Sequence, residues 1–367
     1  MNKAIPFSIS NSAGDKSVTD LVTIGIDLGD RWSQICVLNA NGEILDQSRL
    51  KSSPHNFTRR FAALAPARVA MEAGTHSLWA KELLTELGHE VLVANARELQ
   101  AISTSDRKTD KADAEKLARY ARVDPTILRP IVHRDSRTQA NLLVIRTRAV
   151  LIRMRSLAIN AVRGLIKPFG YRLSACSTDS FVTRCRMELP TEYHTLLAPL
   201  LEQIASLTQQ IRSADRGVEH LAETQYPEVT LLRTVPGVGP VTALTFVLTI
   251  GDAKRFARSR DVGCYLGLRP RQQQSGERDP QLGITKAGNH YLRTLLVECA
   301  QHVLGVFGAD TALRRWGLSL AERGGKNAKK RAIVAVARKL AVLLHRLWVT
   351  QEPYEPFYGV PAASATV

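Results

Sequence analysis

The chain has 367 residues, with 50 Lys and Arg against 34 Asp and Glu and a formal net charge of +16. That excess points to a polyanionic partner, nucleic acid before a membrane surface, while aromatics at only 6% argue against binding single strands on stacked aromatic platforms. Five cysteines (Cys36, Cys176, Cys185, Cys264, Cys299) lie far apart without a CxxC pair, so they read as core thiols of a reducing cytoplasm rather than a zinc ribbon or disulfide framework.

Residues 1–20 are polar and mixed, lack an apolar signal core and are expected to be disordered. No run approaches membrane-spanning length, which predicts a soluble, cytoplasmic and nucleoid-associated protein with no membrane partner. Val22, Ile24 and Ile26 then make a β-branched run, a buried strand that delivers Asp27 between Gly25 and Gly29. An ionised carboxylate there costs on the order of several kcal/mol unless a cation compensates it. Three readings fit: a metal ligand, a cap of the turn into Leu28-Gly29-Asp30, or a phosphate loop of the sugar-kinase and actin type.

Ser33 to Leu38 and Glu43 to Leu50 read as two further strands across the turn Asn39-Ala40-Asn41-Gly42. Arg68 to Glu72 is a fourth short strand, and it too ends in an acid. Leu78, Leu83, Leu84 and Leu87 give Ser77 to Leu87 helical spacing, and Gly88 turns the chain into a fifth strand at Glu90 to Val93. A meander followed by strands alternating with helices predicts an α/β domain with an RNase H-like layout, which the actin-kinase superfamily shares.

From Thr109 a helix would set Asp110 and Asp113 one turn apart on one face. Acids in a first turn also complement the helix dipole, and Lys108, Lys111 and Lys116 make a solvated face an alternative. Taken together, Asp27, Glu72, Asp110 and Asp113 supply what two hard divalent cations require: oxygen ligands, several negative charges and rigid supports. The kinase reading weakens for want of a second glycine-rich phosphate loop.

A long helix runs from Thr138 to Gly164–Pro168, with Leu143, Val150, Leu157, Met154 and Ala161 at heptad spacing and Arg146, Arg148, Arg153, Arg155 and Arg163 on its other faces. A second seam holds Leu197, Leu200, Ile204, Leu207, Ile211, Ala214, Val218 and Leu221. Both are expected to be coiled-coil segments, folded back on each other or shared between subunits. Arg146 and Arg153 are assigned to a phosphate backbone, with a solvated face as the alternative, and residues 168–190 read as irregular, without readable chemistry.

Pro236-Gly237-Val238-Gly239-Pro240 between two apolar helices resembles a helix-hairpin-helix, in which Gly237, Gly239 and the next helix's amino end offer N–H groups to a DNA phosphate; a tight helical corner is the alternative. Ser275 sits in a polar, glycine-flanked loop with Arg269, Arg271, Arg278 and Lys286 nearby, and Arg293 follows in the helix from His290. A hydroxyl so placed can attack a phosphodiester while the cations stabilise the developing charge, although spacing alone favours an ordinary loop serine. Lys326, Lys329, Lys330 and Arg331 open a basic helix reaching Trp348, and the tail from Glu352 reads as disordered.

These motifs together resemble the DEDD transposases of the insertion sequence 110 family, the bridge-RNA-guided recombinases that also include the pilin-gene invertases. The match rests on Ile-Asp-Leu-Gly, Met-Glu-Ala-Gly, Lys-Thr-Asp-Lys-Ala-Asp-Ala, Pro-Gly-Val-Gly-Pro, Leu-Gly-Leu-Arg-Pro with Ser-Gly following, and Gly-Ile-Thr-Lys-Ala-Gly-Asn. The resemblance implies an α/β plus α protein: a RuvC-like RNase H-fold domain over residues 21–132, a coiled-coil linker over 133–226, and a mainly helical transposase domain with a helix-hairpin-helix over 227–350, before a tail at 351–367. It implies Mg²⁺, with Mn²⁺ as a substitute, on Asp27, Glu72, Asp110 and Asp113. Ser275 would be the nucleophile that forms a covalent link to a cleaved strand. The implied partners are double-stranded donor and target DNA, a structured guide (bridge) RNA, and further copies of the chain in a homodimer that assembles to a tetramer. The alternatives are a metal-dependent nuclease or Holliday-junction resolvase, in which Ser275 is structural, and a non-catalytic nucleic-acid-binding protein.

Overall fold

The computed structural model describes residues 22–96, 109–276, 278, 280 and 282–358. The expectations for residues 1–20, for Lys108 and for the end of the tail past 358 lie outside them. The chain divides into two compact units, Met1–His133 and Arg134–Val367.

In the first unit, β1 (Thr23–Asp27), β2 (Trp32–Leu38) and β3 (Ile44–Lys51) form an antiparallel meander, and β4 (Arg68–Glu72) and β5 (Glu90–Ala94) add in parallel, giving the order β3-β2-β1-β4-β5. Side-chain alternation sorts the two faces. Ile24, Ile26, Val69 and Met71 point to one side, where α1 (Pro54–Phe61) and α2 (Ser77–Glu86) bury Phe57, Phe61, Ala80 and Leu84 against them. The helix α1 has a recognisable start: the Ser53 side chain caps it and Pro54 occupies the first turn.

The opposite face is built of small residues. Gly25, Cys36 and Ala70 lie there, and α3 (Asp110–Val123) packs Ala114, Leu117, Ala118 and Ala121 onto them. Gly25 permits this approach, since a Cβ on it would stand 2.6 Å from the Ala118 nitrogen. Thr109 caps the helix, its side chain accepting from the Ala112 N–H at 3.2 Å.

In the second unit, α4 (Ser136–Ile166) and α6 (Thr191–Gln225) pair as long helices. The expected α6 seam is buried at Leu197, Ile204, Leu207, Ile211, Val218 and Leu221. The expected α4 seam is not. Leu143, Val150, Met154 and Leu157 are exposed, while Leu142, Ile145, Ile159, Val162 and Ile166 are buried. The helix carries two apolar stripes, and the partner took the one that heptad spacing from Leu143 passes over.

Residues 168–190 also depart from expectation. They include α5 (Phe181–Glu188), which plugs Phe181 and Cys185 into the core between the long helices. Burial pushes the Cys185 thiol up to about 11, so it stays protonated at neutral pH. Beyond α7 (Glu228–Leu232), the helices α8 (Pro240–Ile250), α9 (Arg260–Tyr265), α10 (His290–Leu304), α11 (Ala312–Glu322) and α12 (Ala328–Thr350) close around the largest core of the chain, with α8 buried nearly all round.

The tail is not loose where it is described. Residues 352–358 form a strap, with the Ala312 N–H donating to Pro356 O at 2.8 Å and the Tyr354 N–H to Thr234 Oγ1 at 3.3 Å. Arg346 lies 4.0 Å over the Tyr358 ring and Arg315 5.0 Å over Phe357.

Candidate active site

The four acids come to one edge of the sheet. Asp27 is two residues beyond Gly25 and Glu72 two beyond Ala70, so alternation places both on the α3 face, at the carboxyl ends of neighbouring parallel strands. The direction of α3 follows from its contacts: the Arg68 guanidinium, at the start of β4, donates to Ala121 O at 3.2 Å, whereas Ala114 and Ala118 lie over Gly25. The helix therefore runs against β1 and β4, its amino end toward Asp27 and Glu72. The lengths agree, since four strand steps from Thr23 to Asp27 span about 13 Å and eight helical steps from Ala121 back to Asp113 about 12 Å.

Asp110 and Asp113 belong to the stripe that continues through Ala114, Leu117 and Ala121, the face α3 turns to the sheet. Asp113 is also 3.7 Å from Lys116 Nζ. The oxygen donors suit a hard divalent cation. Yet among the described residues no three His, Cys, Asp or Glu side chains close on one point as metal ligands would. The fold thus fixes the edge and the face on which the acids stand.

Two histidines border this edge. His76 accepts from Trp79 Nε1 at Nδ1 (3.2 Å), which leaves its proton on Nε2, 3.3 Å from Asp30 Oδ1. His133 Nε2 lies 3.0 Å from Ser77 Oγ. Neither was singled out in the sequence, where a lone His after a strand end carries no spacing signal.

In the second unit, Ser275 stands at the tip of a β-hairpin arm. Its root is laddered by Lys286 N–H to Gly267 O (3.0 Å), Thr285 N–H to Arg269 O (2.9 Å) and Arg271 N–H to Gly283 O (3.0 Å). At the tip, Ser275 and Arg278 exchange both backbone hydrogen bonds at 3.1 Å, and Gly276 turns the chain at φ +57°. Ser275 is exposed, as are Arg269, Arg271, Arg278 and Lys286.

Arg293 is the clear correction. Expected on a phosphate, it is 7% exposed, and its guanidinium donates to Leu266 O at 3.0 Å and Ala287 O at 2.6 Å. It ties together the two chains at the root of the arm, so it positions Ser275's support rather than facing a ligand. Lys326, Lys329, Lys330 and Arg331 are exposed, and so are Arg146 and Arg153. Their helix neighbours turn inward: Arg148 pairs with Asp215, and Arg155 with Asp179. At the Gly-Val-Gly corner, Gly237 has φ +86° and packs on His302, while Gly239 leads extended backbone into Pro240 at the first turn of α8.

Comparison with known proteins places the chain. A transposase family profile of DEDD type covers residues 24–169, spanning the sheet and α3, and the profile "Transposase IS116/IS110/IS902 family" covers residues 229–314, spanning the arm. A "Probable family 20 transposase" of Pseudomonas aeruginosa is 30% identical over 92% of this chain and 99% of its own length. The "Transposase for insertion sequence element IS1111A" of Coxiella burnetii is 29% identical over 92% and 93%, respectively. A "Pilin gene-inverting protein" of Moraxella lacunata is 27% identical over 73% and 75%. These matches show a transposase, an enzyme that cleaves and rejoins DNA, and the mixed sheet with its helices is consistent with that class. The chain belongs to the IS116/IS110/IS902 family.

Proposed function

We propose that the protein is an RNA-guided DNA recombinase of an insertion sequence, cutting and exchanging donor and target strands through a serine-linked intermediate. The observation that carries this reading is that the chain holds both an acid edge, in its first compact unit, and an exposed hydroxyl on a cation-flanked arm, in its second. The first unit is read as RuvC-like and the Gly237–Gly239 corner as a helix-hairpin-helix that offers N–H groups to a phosphate.

In the reaction, Ser275 Oγ attacks the phosphorus, its proton leaves to a base, a P–Oγ bond forms, and the P–O bond to the 3′ oxygen breaks. Arg269, Arg271 and Arg278 stabilise the charge that spreads over the phosphoryl oxygens. Asp27, Glu72, Asp110 and Asp113 would hold Mg²⁺, which supplies stabilisation to the oxygens of the scissile phosphate. Rejoining reverses these steps with the hydroxyl of another strand, so the phosphodiester count is conserved.

Sequence choice is assigned to base pairing with a guide RNA, which suits a chain of net charge +16 in which no base-reading motif such as a zinc finger is apparent. The exposed stripe of α4 suits self-association into a dimer and then a tetramer.

Two measurements test the proposal. With cognate DNA, Ser275→Ala should abolish both cleavage and the covalent protein–DNA adduct. Cutting that persists without an adduct would identify a metal-dependent resolvase instead. RNA retained through a high-salt purification should be one discrete species encoded beside the gene, and heterogeneous RNA or none would sink the guided part.

A further inference from the structure

A cleft of about 1190 Å³ opens within the second unit. It exceeds the roughly 300–1,000 Å³ of pockets built for drug-sized ligands. The root of the Ser275 arm forms one wall with Leu268, Pro270 and Ile284. Leu313 and Trp316 of α11 form the second, one face of α12 the third, and the strap at 352–358 the last.

The lining combines two demands that few ligands meet together. Its floor is apolar, with Trp316, Val334 and Leu343 prominent. Its rim carries Lys286, Lys330, Arg331, Arg338, Lys339 and Arg346 against only Glu352 and Glu355. Of those six cations, Arg346 alone has a carboxylate within ion-pair distance among the described residues, Glu352 at 3.8 Å. Lys339 Nζ lies 3.8 Å over the Trp316 ring, and burial pulls its pKa down. Cations held against carbon without carboxylates favour an anionic ligand, and carbon left open to water favours an apolar one.

Duplex DNA satisfies only the first demand, because its bases are stacked inside and only backbone and base edges reach a protein. An unpaired strand satisfies both, its phosphates tracking a basic groove while its bases lie on apolar side chains. We infer that this cleft holds a short run of unpaired nucleotides, with phosphates on Arg338, Lys339 and Lys330 and bases against Trp316, Val334 and Leu343. The inference rests on the recombinase reading, in which strands must leave one duplex before joining another. It assigns that single-stranded stretch to the wall beside the arm.

The test uses the full-length protein and fluorescence anisotropy with three probes: a labelled oligothymidylate, an abasic strand of equal length, and a duplex. The thymidylate should bind at least about tenfold tighter than the abasic strand, because only the thymidylate has bases to seat on the apolar floor. Ala335→Trp, which fills the cleft from α12, should remove that preference while leaving abasic binding within about twofold. Arg338→Gln with Lys339→Gln should weaken both single strands and reduce the salt slope by about one per cation.

Equal affinity for the two single strands, or a preference that survives Ala335→Trp in folded protein, overturns the inference. Should Ala335→Trp fail to fold, photocrosslinking of wild type with a 4-thiothymidine strand decides: adducts on Trp316, Tyr354 or Tyr358 support it, and adducts confined elsewhere overturn it. Duplex binding and strand cleavage without base preference would overturn the cleft alone. Loss of affinity for all three probes would overturn the recombinase reading with it.

Discussion

A Cβ placed on Gly25 would stand 2.0 Å from the carbonyl oxygen of Ala114. The atom it would meet is backbone, so no flexible side chain can yield to relieve the clash. It sets the depth at which α3 rests on the sheet, and with it the reach of Asp110 and Asp113 toward the ends of β1 and β4.

Gly25→Ala is therefore expected to lift α3 and destabilise the first unit by about 1–3 kcal/mol or more. Cleavage should fall further than stability explains, because the acid edge loses its geometry. Gly74→Ala is the control, since nothing lies within 4 Å of its added Cβ. Urea unfolding of both variants, alongside a cleavage assay, checks the pair: equal midpoints would mean that helix and sheet have slack.

Asp179 supports the long helices from outside. It accepts from Arg155 at 2.7 Å and Arg212 at 3.1 Å, and Arg155 is only 8% exposed. Burial alone would raise the Asp179 pKa, but the hydrogen bonds from Arg212 and Arg155 outweigh it and hold the carboxyl below its ordinary value. A carboxylate with a depressed folded-state pKa stabilises the fold above its unfolded value of about 3.9 and loses that contribution as pH falls through the folded value. Asp179→Asn should thus lower the urea midpoint at neutral pH, with the gap to wild type closing below about pH 4. A gap that is constant with pH would assign the effect to packing.

Much of the first unit was legible in the sequence, because its signals are local. Strand ends, period-two alternation and the capped start at Thr109 each depend on a few adjacent residues, and together they set the acids on one edge. The α4 seam was not legible, since Leu142, Ile145 and Ile159 compete with Leu143, Val150 and Leu157 at equally good spacing. Only the partner helix decides between them. Arg293 misled for a related reason: an arginine beside Lys286 reads as a phosphate contact until the chain places Leu266 and Ala287 carbonyls around it. The cleft joins the arm root, two helices and the strap, and no single stretch encodes it, although Arg331, Val334, Ala335, Arg338 and Val342 do follow helical spacing along α12.

Arg293→Met keeps the buried stem but removes both donors to Leu266 O and Ala287 O. Leaving two buried carbonyls unpaired is expected to cost about 1–3 kcal/mol each where water cannot reach them. The local consequence should be larger than the global one. The arm loses its tie, so adduct formation at Ser275 should drop at least about tenfold while duplex binding stays near wild type. If Arg293 instead contacted phosphate, duplex affinity and its salt slope would fall together, which a salt titration reads directly.

Leu143, Val150 and Leu157 lie seven residues apart on α4 and are 58%, 50% and 72% exposed, with Met154 at 46% on the same face. A soluble helix seldom leaves such a stripe to water over this length, and its period is that of a left-handed two-helix seam. Occupation by α4 of a second copy would bury the side chains in pairs, at about 1.5–3 kcal/mol for each fully buried one. Val150→Glu combined with Leu157→Glu puts like charges across a two-fold seam. Sedimentation velocity should then show wild type self-associating and the variant monomeric at the same concentration, a weakening of at least a hundredfold given about 1.4 kcal/mol per decade. Because neither side chain joins the buried face of α4, helicity and melting of the monomer should be unchanged. A variant that still self-associates like wild type would free the stripe from the assembly and move the interface elsewhere.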